Sequence, residues 1–257
     1  YIIVRLILPL PVSKAARLLL CLLPPAVTGG HLLLRHQFGG MASAELPAWL
    51  IALSGGMFGV CLLLCILLAA RDALFLLFRL LWALLRKAPF PFLFKAPPPF
   101  SAVQWATGLL LLCASLSAWG VWQAVRVPDV RTMEIALPGL PSELDGLTVA
   151  FVSDLHVSAL LQQERTEAIV KAVNALDPDI IFIGGDLIDG SPKLRASAVA
   201  PLAQLRSRYG VYACPGNHEY YSGYAEWMRS FAGLGITMLE NSHKTIHPRG
   251  VPLVVAG

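Results

Sequence analysis

The 257-residue chain is 56% hydrophobic and only 14% charged, whereas soluble domains carry about 25% charged residues, so a single soluble globule is excluded. The charge is also uneven. Residues 1–124 hold nine Lys/Arg and two Asp/Glu (9 − 2 = +7), and residues 125–257 hold eleven and fourteen (11 − 14 = −3). The overall charge of +4 is an average over two unlike halves, and it does not indicate nucleic-acid binding.

Two uncharged apolar runs dominate the first half. Residues 49–70 form a run of 22 residues, and residues 102–125 form another with tryptophans near its ends. About 20 apolar residues cross a bilayer as a helix, and tryptophans concentrate at its interfaces. We therefore expect residues 1–125 to be a membrane region with about three transmembrane helices.

Two further apolar segments leave alternatives open. Residues 16–34 are interrupted by Pro24, Pro25 and two glycines, and a buried core helix is as good an interpretation as a membrane span. Residues 73–85 are too short to span independently. They either extend the preceding helix or lie in the membrane interface.

The loop charges predict an orientation. Residues 71–101 carry five Lys/Arg and one Asp, and such loops remain in the cytoplasm. The run at 102–125 then leads outward, so everything after Arg126 is expected outside the cytoplasmic face of a multi-pass inner-membrane protein. A transport function is disfavoured, because the predicted spans contain no acidic residue that could mark a pathway.

The second half, residues 126–257, alternates strand and helix patterns. Apolar runs predict strands, and i, i+3, i+4 spacing predicts helices. The predicted strands are 147–154, 179–189, 211–219 with its turn, 236–240 and 251–257, and the predicted helices are 161–176, 196–208 and 223–234. This alternation is typical of an α/β domain.

Polar clusters follow the first three predicted strands. They are Asp154 and His156, Asp186 and Asp189, and Asn217 and His218. Each cluster alone is more often an ordinary turn. Together they are hard to explain by packing, because ligand sites of open α/β sheets lie at the carboxyl ends of the strands. Oxygen and nitrogen ligands without thiolates suit Mn, Fe or Zn at a hydrolytic centre.

The segments SDLH, GGDLID and GNHE, in this order, resemble the first three motifs of the calcineurin-like metallophosphoesterase superfamily. With its membrane anchor the chain is similar to the bacterial branch related to lipid-directed phosphodiesterases. The resemblance covers roughly residues 133–257. It implies a layered β-sandwich flanked by helices, so that residues 126–257 would be the N-terminal part of such a domain.

The resemblance also implies roles for the six polar residues. Four would be ligands of two divalent metal ions (Mn, Fe or Zn): Asp154, His156, Asp186 and Asn217. Asp186 would bridge the two ions. His218 would contact the phosphate and protonate the leaving oxygen, and Asp189 would orient that histidine.

The superfamily's closing motifs, a lone His and a G-H-x-H block, do not occur before Gly257. His243 and His247 are interpreted as a solvated turn, and His31 and His36 as ordinary loop residues. The chain is therefore expected to be truncated and inactive on its own.

The leading hypothesis is a membrane-anchored dimetal phosphoesterase that cleaves phosphodiester or phosphomonoester bonds, with a lipid-linked phosphate ester as one candidate substrate. Its expected partners are the lipid bilayer and that substrate. The alternative is a non-catalytic membrane protein whose degenerate phosphoesterase domain binds metal or a partner.

Overall fold

The computed structural model describes residues 1–38, 45–85 and 101–257. The basic residues Arg86, Lys87 and Lys95, on which the predicted orientation partly rests, lie outside the described residues. The chain divides into two compact units, one formed by Tyr1–Gln37 and Trp49–Ala124 and the other by Phe38–Ala48 and Val125–Gly257.

Three long helices make up the first unit. They are α1 (Lys14–Phe38), α2 (Ala48–Leu85) and α3 (Ala102–Val125), preceded by a π-helical turn at Ile3–Ile7. By length and composition, all three are suited to crossing a membrane. Few of their side chains are buried, and most leucines face outward, as expected for helices that are apolar all round and surrounded by lipid.

Both apolar segments that the sequence left open lie in long helices. Residues 73–85 continue α2, and α1 runs without a break through Pro24 and Pro25. Thr28 Oγ1 donates to the Pro24 carbonyl at 2.8 Å, one helical turn earlier. No residue of α1 is buried among the residues that the structure describes, and the length and composition of α1 suit a membrane span.

The prediction that His31 and His36 are loop residues is wrong, because both lie within α1. The His31 ring stacks on Phe58 of α2 with centroids 4.7 Å apart, and its Nδ1 lies 3.3 Å from Ser54 Oγ. The glycines before His31 suggested a break, but helix packing outweighs their weak helix propensity.

The second unit is an α/β domain built on a four-stranded parallel sheet, and the predicted fold class is confirmed. The strand order is β1-β2-β3-β4, and each strand pairs in parallel with the next strand along the chain. The strands are β1 (Val149–Val152), β2 (Ile180–Ile183), β3 (Val211–Ala213) and β4 (Thr237–Met238), and the helices are α4 (Gln163–Asn174), α5 (Pro192–Val199), α6 (Asn217–Tyr221) and α7 (Tyr224–Gly233).

The core of this domain lies between the sheet and its helices. Trp227 and Phe231 of α7 are fully buried and stack with centroids 5.1 Å apart. Ile169 and Val173 of α4 belong to the same cluster, as does Ile181 of β2. Burying a large apolar side chain contributes about 1.5–3 kcal/mol, so this core holds the strands, and with them the loops at their carboxyl ends, in fixed positions.

Several element boundaries differ from the prediction. The strand expected over 179–189 ends at Ile183, because Gly185 turns the chain with a φ of 88°. Residues 217–219, expected in the turn after the third strand, lie in the helix α6. His243, expected in a turn, lies in strand β5 (His243–Ile246), which pairs antiparallel with β6 (Leu253–Ala256). The last residue of β5, Ile246, is buried.

Candidate metal centre

The three polar clusters meet at one end of the parallel sheet. The loop after β1 runs beside the loop after β2. The Asp154 N–H donates to the Gly185 carbonyl at 3.1 Å, and the His156 N–H donates to the Asp186 carbonyl at 3.0 Å. These backbone bonds hold the first two motifs side by side, as expected for adjacent parallel strands whose carboxyl ends share one edge.

Three of the predicted metal ligands have left-handed backbone conformations. The φ angles are 56° for Asp154, 45° for His156 and 52° for Asp186. Such a conformation is uncommon for a residue other than glycine and costs of the order of 1–3 kcal/mol. It persists where the surrounding structure enforces it, and it concentrates at functional sites.

Two imidazoles and a carboxylate converge at this point. Ligand atoms of His156, Asp186 and His218 all lie within 4.8 Å of one another. His218 also donates its backbone N–H to Asp186 Oδ1 at 2.8 Å. Imidazole nitrogens and carboxylate oxygens are the donors that Mn, Fe and Zn accept, so His156 and Asp186 fit as ligands of a divalent transition metal, with His218 beside them.

A single carboxylate positions both histidines. Asp189 is only 7% exposed, and its Oδ1 lies 2.5 Å from His218 Nδ1 and 3.3 Å from His156 Nδ1. The two rings meet edge to face, with centroids 4.4 Å apart. Because Asp189 engages the Nδ1 atoms, Nε2 of each ring is the nitrogen available to an ion or a substrate. A carboxylate behind a metal-binding histidine fixes its tautomer and orientation.

The other two predicted ligands stand further out. The Asp154 side chain is 63% exposed, its Oδ1 lies 3.8 Å from His156 Nε2, and its carboxylate accepts a hydrogen bond from the Ser153 hydroxyl. Asn217 is exposed at the first position of α6, directly before His218. The structure thus brings four of the six predicted residues into direct contact, and it leaves these two at the rim.

Sequence reasoning gave no role to Glu219, which is completely buried. Its Oε2 accepts from the Gly216 N–H at 2.7 Å and the Asp186 N–H at 3.0 Å, and its Oε1 accepts from the Leu187 N–H at 2.8 Å. Glu219 therefore ties the second motif to the third. A glutamate three residues after a helix N-cap commonly bonds back to the cap, so its spacing from Gly216 could have identified it.

Two arginines support the same loops from behind. Arg165 of α4 donates through Nη1 to the carbonyl of Leu155 at 3.0 Å, and Leu155 stands between Asp154 and His156 in the sequence. Burial lowers the pKa of the Arg165 guanidinium. Arg195 of α5 donates through Nε to the Asp189 carbonyl at 3.0 Å. Each arginine occupies an otherwise open backbone acceptor beside the centre.

Two glycines allow the second and third loops to approach. A Cβ at Gly185 would lie 2.3 Å from the Gly216 nitrogen, and a Cβ at Gly216 would lie 2.2 Å from Asp186 Oδ1.

Gly185→Ala adds a positive-φ penalty to this clash, so we expect it to destabilise the domain by about 2–4 kcal/mol. Urea titration in detergent measures the loss. Gly233→Ala is the matched control, since nothing lies within 4 Å of its Cβ position, and an equal loss in both variants would contradict the prediction.

Histidines and carboxylates gathered at the carboxyl edge of a parallel sheet define an α/β domain with a candidate metal site. Residues 147–248 match the family model of the calcineurin-like phosphoesterases, and this domain belongs to that superfamily. The resemblance drawn from SDLH, GGDLID and GNHE is thereby confirmed.

Relatives occur in animals and in bacteria, so they do not single out a bacterial branch. A transmembrane protein with a metallophosphoesterase domain from Danio rerio is 36% identical over 138 residues, which is 53% of this chain and 32% of the relative. An uncharacterized metallophosphoesterase from Helicobacter pylori is 34% identical over 134 residues, 52% of this chain and 35% of the relative. A UDP-2,3-diacylglucosamine pyrophosphatase from Chlamydia trachomatis is 29% identical over 119 residues, 43% of this chain and 34% of the relative.

The chain spans about a third of the length of the curated relatives it matches. No solved structure matches it.

Proposed function

We propose that the full-length protein is a membrane-anchored phosphoesterase that uses two divalent metal ions to hydrolyse phosphodiester or phosphomonoester bonds. The observation that carries this proposal is the convergence of His156, Asp186 and His218 within 4.8 Å, at the carboxyl ends of three neighbouring parallel strands. Membership of the α/β domain in the calcineurin-like superfamily supports it.

The proposed ligands are His156 and Asp186 from within the cluster and Asp154 and Asn217 from its rim. Asp186, at the centre of the three loops, is the residue that can bridge two ions. When bound, ions such as Mn, Fe or Zn would supply Lewis-acid stabilisation of the phosphate oxygens and a water with a lowered pKa. The protein's part is to hold the ligands in place through the bonds that Glu219 and the loop backbones make.

His218 is the proposed general acid. Its Nδ1 is held by Asp189 at 2.5 Å, which leaves the proton on Nε2 for transfer to the leaving oxygen of the substrate. The nearly buried Asp189 carboxylate stabilises the protonated imidazole before the transfer, and it keeps the ring from rotating. A positioned acid of this kind contributes about 10²–10⁴ in rate.

A phosphate ester or pyrophosphate held at a membrane surface is the proposed substrate class. Three helices suited to membrane crossing precede the domain, and the Chlamydia relative is named as a pyrophosphatase of a diacylated nucleotide sugar. The excess of Lys and Arg over residues 71–101, the first part of which continues α2, supports an inner-membrane protein whose catalytic domain lies outside the cytoplasm.

Hydrolysis of bis(p-nitrophenyl) phosphate by the full-length protein in detergent, with and without Mn²⁺, tests this function. We expect Mn²⁺-dependent turnover that His218→Ala lowers by about 10²–10⁴ without lowering the bound metal. His243→Ala, which changes an exposed histidine of β5, is the matched control. Intact spheroplasts should hydrolyse the added substrate without detergent if the domain is extracytoplasmic. Folded protein that turns over no substrate with any divalent metal would favour the non-catalytic alternative.

A further inference from the structure

A groove that combines charged and apolar side chains opens between the N-terminal π-helical turn and α2 in the first unit. It has a volume of about 720 Å³ and lies beside α2 immediately after the uncharged run 49–70. Three arginines and one aspartate line it, together with apolar side chains: Arg5, Arg71, Asp72, Ala73, Phe75, Leu76 and Arg79. None of these residues belongs to the α/β domain.

The groove carries excess positive charge. Three arginines against one aspartate leave a balance of 3 − 1 = +2. The aspartate is already engaged, since Asp72 lies 2.7 Å from Arg5 Nε and 2.9 Å from Arg71 Nη2. Arg79 pairs with no carboxylate among the residues that the structure describes, and its guanidinium lies 5.9 Å from the centroid of the Phe75 ring. An anion entering the groove would therefore meet a cation whose charge is not neutralised.

The charged groups share one face of α2 with an aromatic ring. Arg71, Phe75 and Arg79 recur at intervals of four residues, so they lie one above the other on the helix surface. The run before Arg71 is about as long as the hydrocarbon core is thick. Leu74 and Leu76 beside them are exposed. A membrane span over residues 49–70 would place this mixture of charged and apolar surface where lipid headgroups meet acyl chains.

We propose that this groove binds the phosphate of an anionic phospholipid. The headgroup phosphate would lie between Arg79 and Arg71, and the glycerol and upper acyl chain would lie against Phe75 and Leu76. Basic pockets between helices on the positively charged side of a membrane protein have the chemistry that anionic headgroups need. The apolar wall argues for a lipid over a free phosphate ion. The proposal is independent of the phosphoesterase function.

Lipid retention by the full-length protein tests the proposal. The protein would be placed in nanodiscs of phosphatidylcholine containing phosphatidylglycerol, and bound lipid would be counted by native mass spectrometry. We expect phosphatidylglycerol to be retained over phosphatidylcholine, and Arg79→Gln to weaken its retention about fivefold, because each basic residue near a membrane surface contributes about 1 kcal/mol. Arg79→Lys, which keeps the charge, should retain phosphatidylglycerol nearly as well as the unaltered protein.

The matched control is Lys14→Gln, which removes one positive charge at the start of α1, outside the groove. Equal losses in Arg79→Gln and Lys14→Gln would show general attraction to an anionic surface and would overturn the site. Equal retention of the two lipids would overturn it as well. Displacement of phosphatidylglycerol by inorganic phosphate at comparable concentration would identify a soluble-anion site and refute the lipid proposal. Circular dichroism of Arg79→Gln confirms that its helices are intact.

Discussion

Asp186→Asn should remove metal binding and lower hydrolysis by the full-length protein by about a thousandfold or more. The asparagine keeps the size of the side chain, tolerates the φ of 52°, and retains an oxygen that can accept the His218 N–H. Only the negative charge and the second anionic oxygen are lost. Because Lewis-acid stabilisation by bound metal is worth several kcal/mol, and each 1.36 kcal/mol is a factor of ten in rate, the change isolates the metal's contribution.

The measurement is metal content after dialysis, together with kcat/KM for bis(p-nitrophenyl) phosphate. Asp177→Asn is the matched control, since Asp177 also has a positive φ of 44° but is exposed and lies outside the centre. Its ion pair with Arg208 is exposed and distant at 3.7 Å, so its loss should change little. An Asp186→Asn protein that keeps both metal and rate would exclude Asp186 as a ligand.

Glu219→Gln should destabilise the α/β domain by about 2–4 kcal/mol and weaken metal binding at the same time. The buried carboxylate accepts three backbone N–H groups, and hydrogen bonds to a charged group contribute about 1.5–3 kcal/mol each. A glutamine carbonyl can still accept on one side, but its NH₂ group then faces a backbone donor. The loops that carry Asp186 and Asn217 lose their common anchor.

Urea titration in detergent, followed by tryptophan fluorescence, measures the free energy of unfolding, and Mn²⁺ titration measures metal affinity. Glu226→Gln makes the same substitution at an exposed position in the first turn of α7, where a change within about 0.5 kcal/mol is expected. If Glu219→Gln and Glu226→Gln unfold at the same urea concentration, the three hydrogen bonds do not stabilise the junction of the loops. If stability falls while metal affinity stays unchanged, Glu219 supports the fold and does not position the ligands.

Local patterns in the sequence predicted the long helices and the four strands of the parallel sheet, but they missed α6 and β5 and misplaced the ends of several elements. The same patterns supplied the candidate ligands. Uncharged apolar runs predicted α2 and α3, and helical spacing over 161–176 predicted α4. Such patterns suffice because the period at which apolar residues recur depends on whether the segment is a helix or a strand. The convergence of the three motifs also followed from the sequence, since consecutive parallel strands place their carboxyl ends at one edge.

Distances between side chains on separate loops depended on tertiary packing. Asp189 contacts His218 and His156 across 29 and 33 residues of chain, and no local pattern encodes that one oxygen serves both rings. The same holds for Glu219, whose role depends on a loop 33 residues away, and for the exposed position of Asp154. The sequence therefore determined which residues of this chain can bind a metal. The tertiary structure decided which of them share a centre, because Gly185 and Gly216 let the second and third loops approach closely. Ligand geometry depends on fractions of an ångström, and only the packed core defines distances that finely.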